Sequence, residues 1–425
     1  MRLLHTSDWH LGQHFMGKSR QAEHQALIDW LLTQVEAQHV DAVLIAGDIF
    51  DTGTPPSYAR ELYNQLVVRL HERGVALLIL SGNHDSPAML AESRELLARL
   101  GTFVIPSAHE DPASQVLQLN QRNGEPGCLV CAVPYLRPRD ILHSQAGQSA
   151  DDKQHALQQA IEAHYLAVHA AAQAKMATLK TTHFAQPLPI IATGHLTTVG
   201  ASESDSVREI YVGSLDAFPT RSFPEVDYIA LGHIHRTQKV GGYAHIRYSG
   251  SPIPLSFDEA GQGKSVLLVD LDATGLRAVT PLPVPRFQAL ASLRSTLADL
   301  PAKLGQAVGE AHSHPNRQVN KDDSDTLWLE ICIEADDYLS DLPARVQSCC
   351  AEWPVEILSI RRSRSNAAQI ERQALETLAE LDPNEVFTRR LQQETLPEDQ
   401  QAALLERYRD VIASLHDADS ERDKA

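Results

Sequence analysis

The residues of this chain best suited to chemistry are Asp8 and His10 in SDWH, Asp48 in LIAGDIFD, Asn83 in LSGNHD, His195 in IATGHLT, and His233 with His235 in LGHIH. Each closes an apolar run that reads as a buried strand and stops at a glycine or a polar turn. In an open α/β sheet the carboxyl ends of the strands converge on one crevice, so residues far apart in sequence can share a site. Asp and Asn offer hard oxygen donors and His a borderline nitrogen, a mixture that suits two divalent ions poised for phosphoester hydrolysis. Any one of these motifs is short enough to arise by chance, and a lone histidine in a sheet is usually structural. Their order, their strand-end placement and their donor types together carry the metal reading.

The elements that must position them are legible as alternating patterns. Strands are expected at 3–6, 42–46, 76–80, 128–133, 190–193, 228–231 and 266–271, and helices at 21–38, 57–73 and 151–179. The first helix carries Leu27, Ile28, Leu31, Leu32 and Val35 on one face. Strand–helix alternation with apolar strands predicts a layered α/β domain over residues 1–280 with both sheet faces covered. Pro281, Pro283 and Pro285 then predict an extended connector and a domain boundary. Residues 287–365 read as helix, polar loop, strand, helix and strand, a small α+β unit whose run Leu327 to Ile333 alternates apolar with polar. Residues 367–416 read as charged helices, with Asp382, Pro383 and Glu385 starting one of them and Leu404, Leu405, Tyr408, Val411, Ile412 and Leu415 forming a stripe on the last. That stripe could fold back on its own protein or dock on a partner's helices. Residues 417–425 read as a disordered tail.

Composition narrows the classes. Of 425 residues, 43% are hydrophobic and 22% charged, as in ordinary globular proteins. No charged leader with an apolar core opens the sequence, and no run approaches the roughly 18 apolar residues of a membrane span, so a cytoplasmic protein is expected. Five cysteines argue against a disulfide framework. Cys128 and Cys131, in GCLVCAVPY, and the adjacent Cys349 and Cys350 read as core residues. The formal charge of −18 repels phosphate, so either the substrate is small or metals and a partner supply the missing positive field.

The ordered ligand set resembles that of the calcineurin-like metallophosphoesterases. SDWHLGQ, AGDIFDTGTPPSYAR, LSGNHDSP, VPYLRPRDI and YIALGHIHR resemble one bacterial nuclease branch of that family over nearly the full length. The resemblance implies a two-sheet α/β sandwich with a small α+β capping domain and C-terminal helices. It implies that Asp8, His10, Asp48 and His235 hold one metal and that Asp48, Asn83, His195 and His233 hold the other, with Asp48 bridging. Manganese is the metal it favours. His84 would stabilise the transferring phosphoryl group or protonate the leaving 3′ oxygen. Asp85 would orient the His84 ring, or would merely close a turn by accepting a backbone N–H. Related proteins often carry a second histidine where this chain has Asp51, so that accessory role does not carry over to Asp51.

The implied activity is a 3′→5′ exonuclease on double-stranded DNA and an endonuclease on single strands and hairpins, serving DNA end processing, repair and recombination. A partner ATPase would control it, met at its coiled-coil base by the C-terminal helices. A homodimer within a heterotetramer, bound to the nucleoid when on DNA, is implied as well. Lys18, Arg20, Arg137, Arg139, Arg361, Arg362 and Arg364 are candidate DNA contacts, against the simpler reading that they solvate turns and faces. Two other functions fit parts of the sequence. One is an enzyme for small phosphoesters or cyclic nucleotides, which the acidic balance suits; the other is a non-catalytic DNA-end tether in which metals only brace the fold.

Overall fold

The apolar runs pair into two six-stranded sheets. The computed structural model describes residues 1–142, 149–182, 187–201, 217–313, 326–334, 341–363, 404 and 407–408. In order across the first sheet lie Gly275–Pro283, Ser265–Asp272, Arg2–Thr6, Ala42–Ala46, Ala76–Leu80 and Thr102–Ile105. The last four run parallel, and Ser265–Asp272 is antiparallel to both of its neighbours. The second sheet runs Gln238–Val240, Tyr243–Tyr248, Tyr228–Gly232, Ile190–His195, Pro126–Cys131 and Val116–Asn120, with a parallel centre and antiparallel edges.

The period-two alternation of the strands sorts side chains into layers. Leu3, Ala42, Leu44, Leu78 and Leu80 meet Cys128, Val130, Ile191, Tyr228 and Ala230 in one core shared by the two sheets. Leu4, Val43, Ile45, Leu77 and Ile79 point the other way, onto helices Gln21–Ala37 and Ser57–His71. The long helix Ala150–Thr182 covers the outer face of the second sheet through Leu157, Ile161, Tyr165 and Val168. The result is the expected two-sheet sandwich with helices outside. Each fully buried Leu or Ile contributes about 1.5–3 kcal/mol, so the strands that carry the site stand on a rigid base.

The structure corrects the reading of the prolines. Gly275–Pro283 is a strand, paired with Ser265–Asp272 as far as the Ser265 to Pro283 register, so Pro281 and Pro283 belong to the sheet. They are tolerated because this strand is the sheet edge, where a missing N–H donor costs no ladder bond. A third sheet follows, of Leu290–Ser295, Leu327–Glu334 and Val355–Ser363, accompanied by helices Leu300–Ser313 and Leu342–Cys350. Its first strand has no counterpart among the expected elements. Phe15, in the two-stranded hairpin of His14–Phe15 and Lys18–Ser19, packs against this sheet. Its ring stacks on Trp328 at 6.0 Å and meets Phe257 edge-on at 4.9 Å.

The chain divides into two compact units, Met1–Ile333 with Leu339–Arg361, and Glu334–Tyr338 with Arg362–Ala425. The second lies almost wholly outside the described residues, as do the helices expected over 367–416 and the tail 417–425. No described helix is long and apolar enough to cross a membrane. Cys128 and Cys131 are free, buried thiols pushed up to about 12 by burial, which suits inert core residues.

Candidate metal centre

All seven ligand candidates lie at the carboxyl ends of strands or in the turns that follow them, and main-chain bonds knit those turns together. Asp8 N donates to Gly47 O at 3.0 Å, while Trp9 N and His10 N both donate to Asp48 O, at 2.9 and 3.1 Å. Asp8, His10, Asp48 and His233 have φ values of 55°, 48°, 51° and 95°, a left-handed backbone that non-glycine residues rarely adopt. Such residues cost on the order of 1–3 kcal/mol each and persist only where the surrounding structure holds them, which is common at functional sites. Two glycines are required by close approach. A Cβ on Gly47 would collide with the His195 ring, and one on Gly82 would collide with the Asp48 carboxylate.

The side chains converge. One potential ligand atom each from Asp8, His10 and His235 lie within 4.8 Å of one another, and the same holds for Asp48, His195 and His233 and for His10, Asp48 and His84. Asp48 Oδ2 is 3.2 Å from His195 Nε2 and 3.7 Å from His10 Nε2, so one carboxylate faces both groups. Asn83 Oδ1 is 2.9 Å from His195 Nε2. Three imidazoles are anchored through Nδ1, leaving Nε2 toward the centre: His10 on Asp51 Oδ1 at 3.1 Å, His195 on Ala46 O at 2.9 Å, and His235 on Glu259 Oε1 at 3.1 Å. Anchoring the far nitrogen in this way is how proteins fix the tautomer of a ligating histidine.

The donor set fits divalent metal ions on a further observation. His10 Nε2 and His233 Nε2 are buried and have no hydrogen-bond partner among the described residues. A buried nitrogen left unpaired is costly, and a cation in contact with it removes that cost.

Electrostatics adds a consequence. Burial alone would lower the His195 imidazole, but Asp48 outweighs it and holds the ring up to about 9. Burial would likewise raise Asp48, yet His195 and its neighbours hold it well below the carboxylate range. At neutral pH the metal-free pair therefore carries a proton on His195, and a metal must displace it. Manganese affinity at the site that includes His195 is expected to rise about tenfold per pH unit from pH 7 until it levels near the His195 value, with about one proton released as that site fills at pH 7. Titration calorimetry in buffers of differing ionisation enthalpy checks this; uptake without proton release would contradict it.

Around the ligands, the predicted accessory residues divide. His84 donates its main-chain N–H to Asp48 Oδ1 at 2.9 Å, and its Nδ1 lies 2.7 Å from the Asp51 carbonyl. Its ring packs edge-on against His10 at 4.6 Å. The Asp85 side chain faces its own turn. Its carboxylate accepts the N–H groups of Gly82, Phe50 and Ile49 at 2.8, 3.0 and 3.2 Å, closing the turn. Burial and the nearby Asp48 hold it up to about 6.

Arg20 is not a phosphate contact. It is buried and committed to Glu23 at 2.5 Å, Gln13 at 2.8 Å and Pro254 O. Lys18 pairs with Glu356 on the third sheet. Arg137 lies over the Tyr135 ring and donates Nη2 to Asp85 O at 3.1 Å, beside the turn that carries Asn83 and His84, while its Nη1 is buried without a partner among the described residues. Arg139 and Arg361 are exposed, near Asp140 and Glu330 respectively. Arg362 lies next to last in the strand Val355–Ser363, and Arg364 lies outside the described residues.

Sequence reasoning missed Asp51 as the anchor of both His10 and His84, and missed Glu259 and Lys264 behind His235. Asp51 follows Asp48 by one helical-turn spacing in a loop, which signals nothing by itself. Glu259 sits in SFDEAGQGKS, a polar stretch with no motif.

Comparison with known proteins agrees with this geometry. A family model described as calcineurin-like phosphoesterase matches residues 1–237, and one described as type 5 capsule protein repressor C-terminal domain matches residues 286–395. The chain is 50% identical over 416 residues to the SbcD subunit of the nuclease SbcCD from Escherichia coli (strain K12), covering 98% of each. It is 31% identical over 399 residues to the protein of the same name from Rhodobacter capsulatus, covering 91% of this chain and 93% of the relative. To that of Bacillus subtilis (strain 168) it is 34% identical over 274 residues, covering 64% and 66%.

Proposed function

Because the chain belongs to the calcineurin-like phosphoesterases and, within them, to the SbcD branch, we propose that it is a metal-dependent DNA nuclease acting with an SbcC ATPase. The observation that carries the reading is Asp48, whose carboxylate faces two groups of buried ligands at once. In this reading Asp8, His10, Asp48 and His235 hold one divalent ion, and Asp48, Asn83, His195 and His233 hold the other. Mixed oxygen and nitrogen donors favour manganese. A bound pair of dications would acidify a water toward neutral pH and neutralise charge building on the phosphoryl oxygens.

The chain's own residues do the rest. Asn83 contributes a neutral oxygen, so the site keeps net positive charge for the phosphodiester. Asp51 O accepts the Nδ1 proton of His84, which sets Nε2 as the atom that meets substrate. As the imidazolium, His84 would donate its Nε2 proton to the leaving 3′ oxygen as the P–O bond breaks, and be left as the neutral Nδ1–H ring. Arg137 braces the Asn83–His84 turn by donating Nη2 to Asp85 O.

The net charge of −18 fits this division of labour, in which metals neutralise the site locally and SbcC supplies duplex-binding surface. We assign the segment 367–416 to docking on the coiled-coil base of SbcC, and a homodimer of this chain to the core of the complex. Removing residues 367–425 should leave manganese-dependent hydrolysis of a small phosphodiester within about twofold while abolishing co-purification with SbcC; retained SbcC binding rejects the docking assignment. The activity itself is tested by digesting a 3′-ended duplex with manganese, with and without SbcC and ATP. Shortening from the 3′ end, enhanced by SbcC, is expected. Hydrolysis confined to small phosphoesters under every condition would favour the alternative of a small-substrate phosphodiesterase.

A further inference from the structure

Behind His235 lies a buried ion pair with no role in the reaction as derived. Glu259 is fully buried, with Oε1 3.1 Å from His235 Nδ1 and Oε2 accepting from Lys264 Nζ at 2.5 Å and from Leu255 N at 3.1 Å. Lys264, also buried, donates further to His235 O at 3.0 Å and Ser251 Oγ at 2.9 Å. Isolated buried ion pairs are poor stabilisers: desolvation costs about as much as attraction returns, and apolar residues of similar volume often serve the fold equally well. Stability alone therefore gives no reason for charges here.

Their placement does. Among the ring anchors, His195 leans on a main-chain carbonyl and His10 on the partly exposed Asp51, whereas His235 leans on a carboxylate closed off from water. The segment that carries Glu259 is itself held, since it forms a short turn Phe257–Glu259 whose Phe257 packs on Phe15 and whose Ala260 joins the same cluster.

We propose that Glu259 is a positioning residue for His235, fixing the ring with Nδ1 on Glu259 Oε1 and Nε2 toward the ion held by Asp8 and His10, and that Lys264 holds the Glu259 carboxylate in place through Oε2. This rests on the metal reading above. Removing such an outer partner costs about 10–100-fold in metal affinity at one site.

The test compares two double variants that both remove the ion pair. Glu259→Gln with Lys264→Met keeps an oxygen that can accept from Nδ1; Glu259→Leu with Lys264→Met does not. In manganese titrations the unaltered protein should bind two ions, and the Gln variant should bind both within a few-fold. The Leu variant should lose about 10–100-fold at one of the two. Equal affinities in the two variants would overturn the positioning role. An unaltered protein that binds no manganese would instead remove the metal reading, and the inference with it. Should the Leu variant not fold, histidine-selective 15N spectra of the unaltered zinc-loaded protein decide the matter, with His235 assigned through His235→Asn. The Nδ1–H tautomer is expected at His235, and the Nε2–H tautomer overturns the proposal.

Discussion

Asp48→Asn is expected to abolish manganese-dependent DNA cleavage, by about 10³-fold or more, and to leave at most one tightly held ion. Loss of several kcal/mol of charge stabilisation in the transition state corresponds to a rate loss of that order. Among the described residues Asp48 is the one carboxylate that faces both ligand groups, and its other oxygen accepts the main-chain N–H of His84. An amide can still accept from His84 N, so the turn should keep its shape. It cannot carry the charge that two dications share. The same substitution removes the partner that holds His195 protonated, so the His195 ring should titrate well below about 9 in the metal-free variant. Metal content, histidine titration and cleavage thus change together. A variant that kept two ions and near-normal cleavage would show that Asp48 is not the bridge.

His84→Ser is expected to separate metal binding from chemistry. The contact of residue 84 with Asp48 is made by its main-chain N–H, which serine retains. Two manganese ions should therefore bind with near-normal affinity while cleavage of DNA falls about 10²–10⁴-fold, the range for losing a general acid. The loss should shrink on a phosphodiester with a good leaving group such as p-nitrophenolate, which needs no proton. A loss that is equal on both substrates would assign His84 to stabilising the phosphoryl group instead, and unimpaired cleavage would remove it from the reaction altogether. Asp85, by contrast, should not substitute for it: its oxygens are occupied by Gly82, Phe50 and Ile49.

Much of this was legible in the sequence because strand ends are marked twice, by an apolar run and by the residue that stops it. Arg2–Thr6, Ala42–Ala46, Ala76–Leu80, Ile190–His195 and Tyr228–Gly232 are central strands, buried on both faces, and so stand out as continuous apolar stretches. Gly47 and Gly82 mark the turns because a side chain there would collide with His195 or Asp48. Among the strands that were missed, Thr102–Ile105, Val116–Asn120, Gln238–Val240 and Tyr243–Tyr248 lie at or beside sheet edges, where more exposed residues break the pattern. Gly275–Pro283 was misread for a related reason, since proline forbids only a central strand.

Within the site, the candidate ligands were legible and their supports were not. A ligand must stand at a strand end, whereas a support can come from anywhere that tertiary packing brings near. Asp51 reaches His84 through a main-chain oxygen, an atom every residue has, and Glu259 reaches His235 across a change of sheet. Arg20 shows the converse error. Its charge suggested an exposed phosphate contact, but Glu23 three residues on and the carbonyl of Pro254 hold it inside the protein. Sequence shows that a charge is present and not whether it is already paired.

Everything proposed for this protein turns on two metal ions sharing Asp48 between the Asp8, His10, His235 group and the Asn83, His195, His233 group. Anomalous diffraction from crystals grown with manganese tests this most directly. Two peaks about 3.5–4 Å apart, one on each side of the Asp48 carboxylate, are expected. A single peak, or two peaks of which only one contacts Asp48, would contradict it.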